Sequence, residues 1–284
     1  MSFEQDTRVA RCGEDGLYRG TLRRNWQLLG PSGGYLAAMA LRASGRAASI
    51  RRPAAFYCHF LRPASFDEID FEVAVLHSGE RSESMRVSAV QKGRPILEAL
   101  VRMAAEADGL EHHEVTPPEV PAPESLPTID ELLRPEHPRV PFWENIEGRV
   151  LKAERFADGR PAWDPHWVEW YRFRPEATFD DPFVDAGRVV VLIDTLSWHA
   201  AWLRHPDFKY VGPSLDVAVF FHRQASHSPW LLAEQRSPIA DGGLIGGQGM
   251  IFDRDGQLVA SGGGQLFSLP LTMIASMHPE SWPW

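Results

Sequence analysis

The chain has 284 residues, of which 44% are hydrophobic and 11% aromatic, enough apolar surface for one large core or two smaller ones. Its formal net charge of −9 argues against a nucleic acid or an anionic membrane as partner, because both bind basic surfaces. Two cysteines, Cys12 and Cys58, make no disulfide framework, and no stretch has the pattern of a signal peptide or the length of a membrane span, so we expect a cytoplasmic protein.

The first part of the chain predicts one helix followed by a run of strands. A turn-rich segment at 30–34 precedes YLAAMALRAS, which starts at Tyr35 and carries apolar residues at helical spacing. Short aromatic or alternating stretches predict strands at 55–61, 71–76, 83–91 and 96–103, with turns between them at Gly79 and at 91–95. A helix followed by strands is typical of an α+β fold.

Prolines interrupt this pattern from about residue 107 to residue 150. Eight of them lie between Pro117 and Pro141, which argues against regular structure except for a short turn at 129–133. We therefore expect a linker that packs over the surface. The predicted organisation is an N-terminal unit over 1–106, the linker over 107–150 and a C-terminal unit over 151–284.

The last part of the chain predicts a second set of one helix and several strands. Strands are expected at 167–174, 215–223, 230–236, 246–252 and 258–267, with a hairpin turn at Asp255-Gly256. The two sets match each other at nearly constant shifts: Arg62 corresponds to Arg223 at a shift of 161, and Gly93 to Gly256 at a shift of 163. The chain is thus predicted to contain an internal duplication.

The stretch from Arg188 to Trp202, RVVVLIDTLSWHAAW, carries a single carboxylate between apolar residues. An unbroken apolar run at 189–193 precedes Asp194, and the residues after it fit a buried helix. The pattern predicts that Asp194 lies at or near the start of that helix, where exposed amides and the helix dipole favour an anion. A helix cap alone would explain this residue, and that interpretation stays open at this point.

Several segments together resemble one enzyme family. GPSGGYLAAMALRAS, FYCHFLRPA and SGERSESMRVSAVQKGRPI are similar to the first half of acyl-CoA thioesterase II enzymes, the TesB-like family. SLDVAVFFHR, WLLAEQRS and FDRDGQLVASGGGQLF are similar to the second half. The resemblance implies a double hotdog fold, in which each half is an antiparallel sheet wrapped around one long helix. It also implies an acyl-CoA substrate, no metal or other cofactor, and a possible homo-oligomer.

In that family a carboxylate, a hydroxyl residue and a glutamine surround the catalytic water. Carried over to this sequence, the carboxylate falls on Asp194, the hydroxyl on Ser214 and the glutamine on Gln265. Candidate substrate-binding positions are glycines that let a ligand approach the backbone, namely Gly33, Gly34, Gly263 and Gly264.

The duplication provides an internal comparison for these three residues. Subtracting the local shifts sets Gly34 opposite Asp194, Pro53 opposite Ser214 and Arg102 opposite Gln265. None of the first-half residues can replace the second-half residues in acid–base chemistry. We therefore expect one active site per chain.

The implied reaction is hydrolysis of an acyl thioester by a water that Asp194 deprotonates and that Ser214 and Gln265 hold. Direct attack by Asp194 through an anhydride is the alternative route. A second interpretation is an enoyl-CoA hydratase that uses Asp194 with His199, five residues later, although such enzymes have Asn-Pro after the Asp where this chain has Thr195-Leu196. A third is an acyl-CoA-binding protein without catalytic activity.

Overall fold

The computed structural model describes residues 2–13, 15–132, 140–157, 159–207 and 209–273. Within them, the α-helices are α1 Phe3–Asp6, α2 Gly33–Ala47, α3 Ile129–Leu132 and α4 Pro182–Arg204. The strands are β1 Ala10–Arg11, β2 Leu17–Thr21, β3 Pro53–Phe60, β4 Glu68–Ser78, β5 Ser82–Gln91, β6 Arg94–Ala104, β7 Ile146–Arg149, β8 His166–Phe173, β9 Tyr210–Val211, β10 Asp216–Phe221, β11 Leu231–Asp241, β12 Leu244–Phe252, β13 Leu258–Phe267 and β14 Leu269–Pro270. No helix in the described part of the chain is long and apolar enough to cross a membrane.

Twelve of these strands form one continuous antiparallel sheet, in the order β1-β2-β4-β5-β6-β3-β10-β13-β12-β11-β8-β7. Counted from the edge of the sheet to its middle, β2-β4-β5-β6-β3 of the first half match β8-β11-β12-β13-β10 of the second half. The two halves are therefore related by an approximate two-fold axis. The halves join where β3 pairs with β10, with His59 opposite Asp216 and Ala55 opposite Phe220. This confirms the predicted duplication and the α+β double hotdog fold.

The two long helices lie side by side on the inner face of the sheet. Glycines bring them close together: a Cβ at Gly34 would lie 2.8 Å from the Cα of Val191, and one at Gly45 would lie 2.4 Å from Cγ of Phe183. The start of α2 therefore lies beside the middle of α4, and the end of α2 beside the start of α4. The helices run antiparallel, with no room for a side chain at these two positions.

The prediction that the second helix starts at or near Asp194 is wrong. The helix begins twelve residues earlier at Pro182, where Asp181 caps it by accepting a 2.9 Å hydrogen bond from the Phe183 amide. Proline fits the first position of a helix because its missing N–H would have no partner there. The apolar run at 189–193 is helical and buried on all sides, so it lacks the one-sided periodicity that marks a helix at a surface.

The linker contains more regular structure than its prolines indicated. β7 adds an edge strand to β8, with Ile146 opposite Phe173, inside the segment that was expected to be irregular. Farther upstream, Val120 and Leu126 pack on the outer face of the second half of the sheet, against a cluster that includes Trp170 and Trp230. The linker thus covers apolar surface that the second half would otherwise expose.

Candidate active site

Asp194 lies in the middle of α4, where it meets the start of α2 and the inner face of the sheet. It is 7% exposed and borders a narrow cleft between α4 and the sheet. The cleft is lined by Ile193, Asp194, Ser197, Ser214, Asp216, Val217, Gly264 and Leu266. The helix start that the sequence assigned to Asp194 is supplied instead by α2: a Cβ at Gly33 would lie 3.1 Å from Oδ2 of Asp194.

The environment of Asp194 is suited to a carboxylate that exchanges a proton near neutral pH. Burial raises its pKa to about 6, and hydrogen bonding by the Ser214 side chain and the Gly34 backbone partly offsets that effect. The nearby carboxylate of Asp216 raises the pKa further, by charge repulsion. Oδ1 of Asp194 is buried and has no hydrogen-bond partner among the described residues. A buried acceptor in this state is available for a water or a reacting group.

Ser214 lies next to Asp194 in the structure. It precedes β10 and forms a single antiparallel bridge with Leu266 of β13, which places it at the rim of the cleft. Next to it, the Leu215 amide donates a 2.7 Å hydrogen bond to the carbonyl of Gln265. The serine is thus fixed at the point where β10 and β13 meet.

The structure does not bring the side chain of Gln265 into the cleft. Successive side chains of a strand point to opposite faces, and it is Gly264 and Leu266 that line the cleft, while Gln265 is exposed. The contribution of Gln265 near the site is its backbone N–H, which donates to Oδ1 of Asp216 at 3.1 Å.

The four candidate glycines separate into two groups. Gly33 and Gly34 contact Asp194 and Val191 of α4, and Gly264 lines the cleft. Gly263 has a different setting, because a Cβ there would lie 2.1 Å from the carbonyl oxygen of Gly247 on β12. Its lack of a side chain allows close strand packing and is not directed to the cleft.

Comparison with known proteins shows the family of the chain. The model of the acyl-CoA thioesterase C-terminal domain matches residues 117–263, and the model of the N-terminal domain matches residues 22–104. The chain belongs to the TesB-like acyl-CoA thioesterase family. It is therefore a thioester hydrolase.

Individual relatives of this thioesterase are distant in sequence and similar in fold. Acyl-CoA thioesterase 2 of Haemophilus influenzae is 26% identical over 256 residues, which cover 81% of this chain and 84% of the relative. The crystal structure of acyl-CoA thioesterase II TesB2 from Mycobacterium marinum superposes with a TM-score of 0.77 at 24% identity, covering 95% of this chain and all of the other. A tesB protein of Mycobacterium avium subs paratuberculosis gives a TM-score of 0.75 at 26% identity, covering 94% and 98%.

His199 lies away from the cleft of this thioesterase. Five residues correspond to about 140° around a helix axis, so His199 and Asp194 face different sides of α4. The imidazole lies between the rings of Trp143 and Trp167, at 5.3 and 5.0 Å, and burial lowers its pKa to about 4. A histidine in this position has no contact with the Asp194 carboxylate, so the structure gives no support to the hydratase pair.

Two polar residues, Asp216 and Glu169, were missed in the sequence. Asp216 borders the cleft. The alternation of its strand points Val217 and Val219 to the core and so predicts an outward-facing side chain at Asp216. Glu169 is 3% exposed, accepts a hydrogen bond from the Tyr171 hydroxyl at 3.1 Å, and has its pKa raised by burial to about 8. The alternation of WVEWYRF gave a signal for Glu169, because it shares its strand face with the buried Tyr171.

One further cluster has side chains of the kind that bind metals. His227, from the segment between β10 and β11, meets Asp253 and Asp255, from the turn between β12 and β13, and their ligand atoms lie within 4.8 Å of one another. Oδ1 of Asp253 already accepts hydrogen bonds from the backbone amides of Asp255 and Gln257, at 3.0 and 2.8 Å. This carboxylate therefore stabilises the turn.

Proposed function

We propose that the cleft hydrolyses acyl-CoA thioesters by using Asp194 as the general base for a water molecule. The observation that carries this proposal is the state of Asp194: a buried carboxylate with an unpartnered oxygen and a pKa of about 6, beside a hydroxyl and a helix start. A base whose pKa lies just below the working pH is mostly ionised and still accepts a proton readily.

The reaction begins when Asp194 takes a proton from water while the water oxygen attacks the thioester carbon. The negative charge that develops on the carbonyl oxygen is stabilised by the backbone amide of Gly33 at the start of α2, because the Gly34 amide already donates to Asp194. The C–S bond then breaks, and the proton held by Asp194 passes to the thiolate sulfur. The products are a carboxylic acid and free CoA.

Ser214 and Asp216 hold the site in order without exchanging the proton themselves. The Ser214 hydroxyl can accept one hydrogen bond and donate another, so it can orient the water toward the thioester. Asp216 accepts the Gln265 amide and thereby fixes β13 beside the cleft. The Gln265 side chain has no role in this mechanism because it is exposed on the other side of its strand.

The test is the release of free thiol from a panel of acyl-CoAs with short to long acyl chains. We expect the wild-type protein to release CoA from at least one of them, and Asp194→Asn to lower kcat about 10²- to 10⁴-fold, the usual contribution of a general base. Gln265→Ala is the matched control and should keep kcat within about twofold of wild type. Hydration of an enoyl-CoA without thiol release, or full activity in Asp194→Asn, would overturn the proposal.

A further inference from the structure

A basic depression lies on the surface at the end of β3, between the loop that follows this strand and the turn that joins β5 to β6. Its volume is about 590 Å³, and its lining includes Arg62, Lys92 and Arg94 but no carboxylate. Three cations in one concave place are unusual in a chain whose formal net charge is −9. Such a place concentrates an anionic ligand locally although the molecule as a whole repels one.

The cations of this basic depression are largely free to bind. The guanidinium of Arg94 has no hydrogen bond or ion pair within the described part of the chain, and Arg62 donates from Nη1 to the Pro95 carbonyl at 2.9 Å. Lys92 lies 3.1 Å from Asp67, but both side chains are more than half exposed, so water screens this pair. A guanidinium presents several donors in one plane and matches the oxygens of a phosphate group.

The basic depression and Asp194 lie at the same end of the sheet. Phe60, the last residue of β3, and Asp194 both lie against Gly33. A Cβ built on this glycine would be 3.1 Å from the Phe60 ring and 3.1 Å from Oδ2 of Asp194. Arg62 follows Phe60 by two residues, a distance of about 7 Å along an extended chain. A ligand with a flexible arm can therefore place its phosphates in the depression and its thioester in the cleft.

The internal duplication supplies a control within the same molecule. At the shift of 163 that relates Gly93 to Gly256, Lys92 corresponds to Asp255 and Arg94 to Gln257, so the second half lacks these cations.

The linker also closes the corresponding place in the second half. Arg223, the counterpart of Arg62, lies 2.9 Å from Nε2 of His113, and Pro117 lies 3.2 Å from the Cβ position of Gly256. Arg254 and Glu124 form a bidentate ion pair, with N–O distances of 2.7 and 3.0 Å. The strand end and the turn are thus repeated in both halves, but it is in the first half that they form an open depression lined by cations, at the end of the sheet where Asp194 lies.

We propose that this basic depression binds the phosphate groups of the nucleotide part of coenzyme A, with Arg94 as the principal contact. The inference rests on the proposed hydrolysis of acyl-CoA and extends it to how the carrier is recognised. An acyl carrier protein, which presents an acidic surface, is disfavoured because the net charge of −9 repels it. A small ligand with several phosphates fits a local group of cations.

The test compares an acyl-CoA with the same acyl group on N-acetylcysteamine, which carries the thioester but no phosphate. In Arg94→Gln we expect the KM for the acyl-CoA to rise about tenfold, the loss of one charge-assisted contact, with kcat unchanged. The N-acetylcysteamine thioester should be hydrolysed with unchanged kcat and KM. Arg86→Gln is the matched control, because it removes one charge from an exposed position of β5 outside the depression.

Binding of adenosine 3′,5′-bisphosphate, measured by calorimetry, separates this inference from the proposed function because it needs no turnover. Binding that Arg94→Gln weakens and Arg86→Gln leaves intact supports the depression as the site even if no thioester is hydrolysed. Hydrolysis with an unchanged KM in Arg94→Gln and no nucleotide binding would overturn the inference and leave the proposed function standing. Equal effects of Arg94→Gln on both thioesters, or a preference for acyl carrier protein thioesters, would also overturn it.

Discussion

At the scale of single residues, two buried carboxylates with raised pKa values, Asp194 and Glu169, differ in whether a ligand can reach them. Asp194 borders a narrow cleft, and one of its oxygens has no partner among the described residues, so it is free to exchange a proton with a group that enters the cleft. Glu169 is enclosed between Tyr171 and Arg155, and its hydrogen bond and ion pair leave it no contact with a ligand. The raised pKa of Asp194 therefore fits the proposed catalytic role, whereas that of Glu169 bears on stability.

Glu169→Gln should make the stability of the protein less dependent on pH. The folded pKa of Glu169 is about 8, above its usual value of 4.5, so the folded state holds the proton more tightly and loses stability as pH rises through that window. We expect the melting temperature of wild type to fall more between pH 6 and pH 8 than that of Glu169→Gln. Glu72→Gln, at an exposed position, should behave as wild type. Equal changes in all three proteins would contradict the assignment.

At the scale of elements, the site depends on how closely α2 approaches α4. The Cβ positions of Gly33 and Gly34 lie within 3.2 Å of Asp194 atoms, so any side chain on this turn would separate the helix start from the carboxylate. The same contact explains why a glycine pair opens α2, although glycine is a poor helix former.

Gly34→Ala should lower both the free energy of unfolding and the activity. The new Cβ would lie 2.8 Å from the Cα of Val191, a backbone atom that can move only with its helix, and such overpacking costs about 1–3 kcal/mol. The matched control is Gly109→Ala, where a Cβ meets nothing within 4 Å and no loss is expected. Urea unfolding measures the first effect and thiol release the second. A Gly34→Ala protein as stable and as active as wild type would show that the helices do not need this contact.

Much of the element pattern could be predicted from the sequence because it follows from local periodicity. The strands expected at 55–61, 83–91 and 258–267 appear as β3, β5 and β13 with ends shifted by at most two residues. The start of α4 could not be read in this way, since a helix that is buried on all sides has no polar face.

The composition of the cleft was harder to predict, for two physical reasons. A shift of one position along a strand moves a side chain to the other face of the sheet. For this reason the sequence could point to Gln265 as a cleft residue although its neighbour Gly264 lines the cleft. The approach of Gly34 to Asp194 joins residues 160 positions apart, and no local pattern reports such a contact. Asp194 and Ser214 were predicted from the family resemblance, and the structure brings them together.

At the scale of the whole molecule, the proposed active site is built from both halves of the chain. Gly34 comes from the first half, while Asp194 and Ser214 come from the second, and the sheet is continuous across the β3–β10 junction. The duplication therefore provides a pair of units that complete one site, in which only the second half contributes the carboxylate.

The second half alone should not hydrolyse thioesters. Residues 151–284 would lack the helix start beside Asp194 and would expose the face of α4 that packs on α2. We expect no thiol release from this fragment, and recovery when it is produced together with residues 1–150. Hydrolysis by the fragment alone at the rate of the full chain would mean that the first half does not take part in the site.

The most direct measurement is kcat/KM against pH, from pH 4.5 to pH 8, for the best acyl-CoA substrate. In the proposed mechanism ionised Asp194 is the base, so kcat/KM should rise with pH through about 6 and then level off. Asp194→Asn should remove this rise and leave a low, flat rate. A profile that keeps its rise near pH 6 in Asp194→Asn, at a rate close to wild type, would show that another group supplies the base.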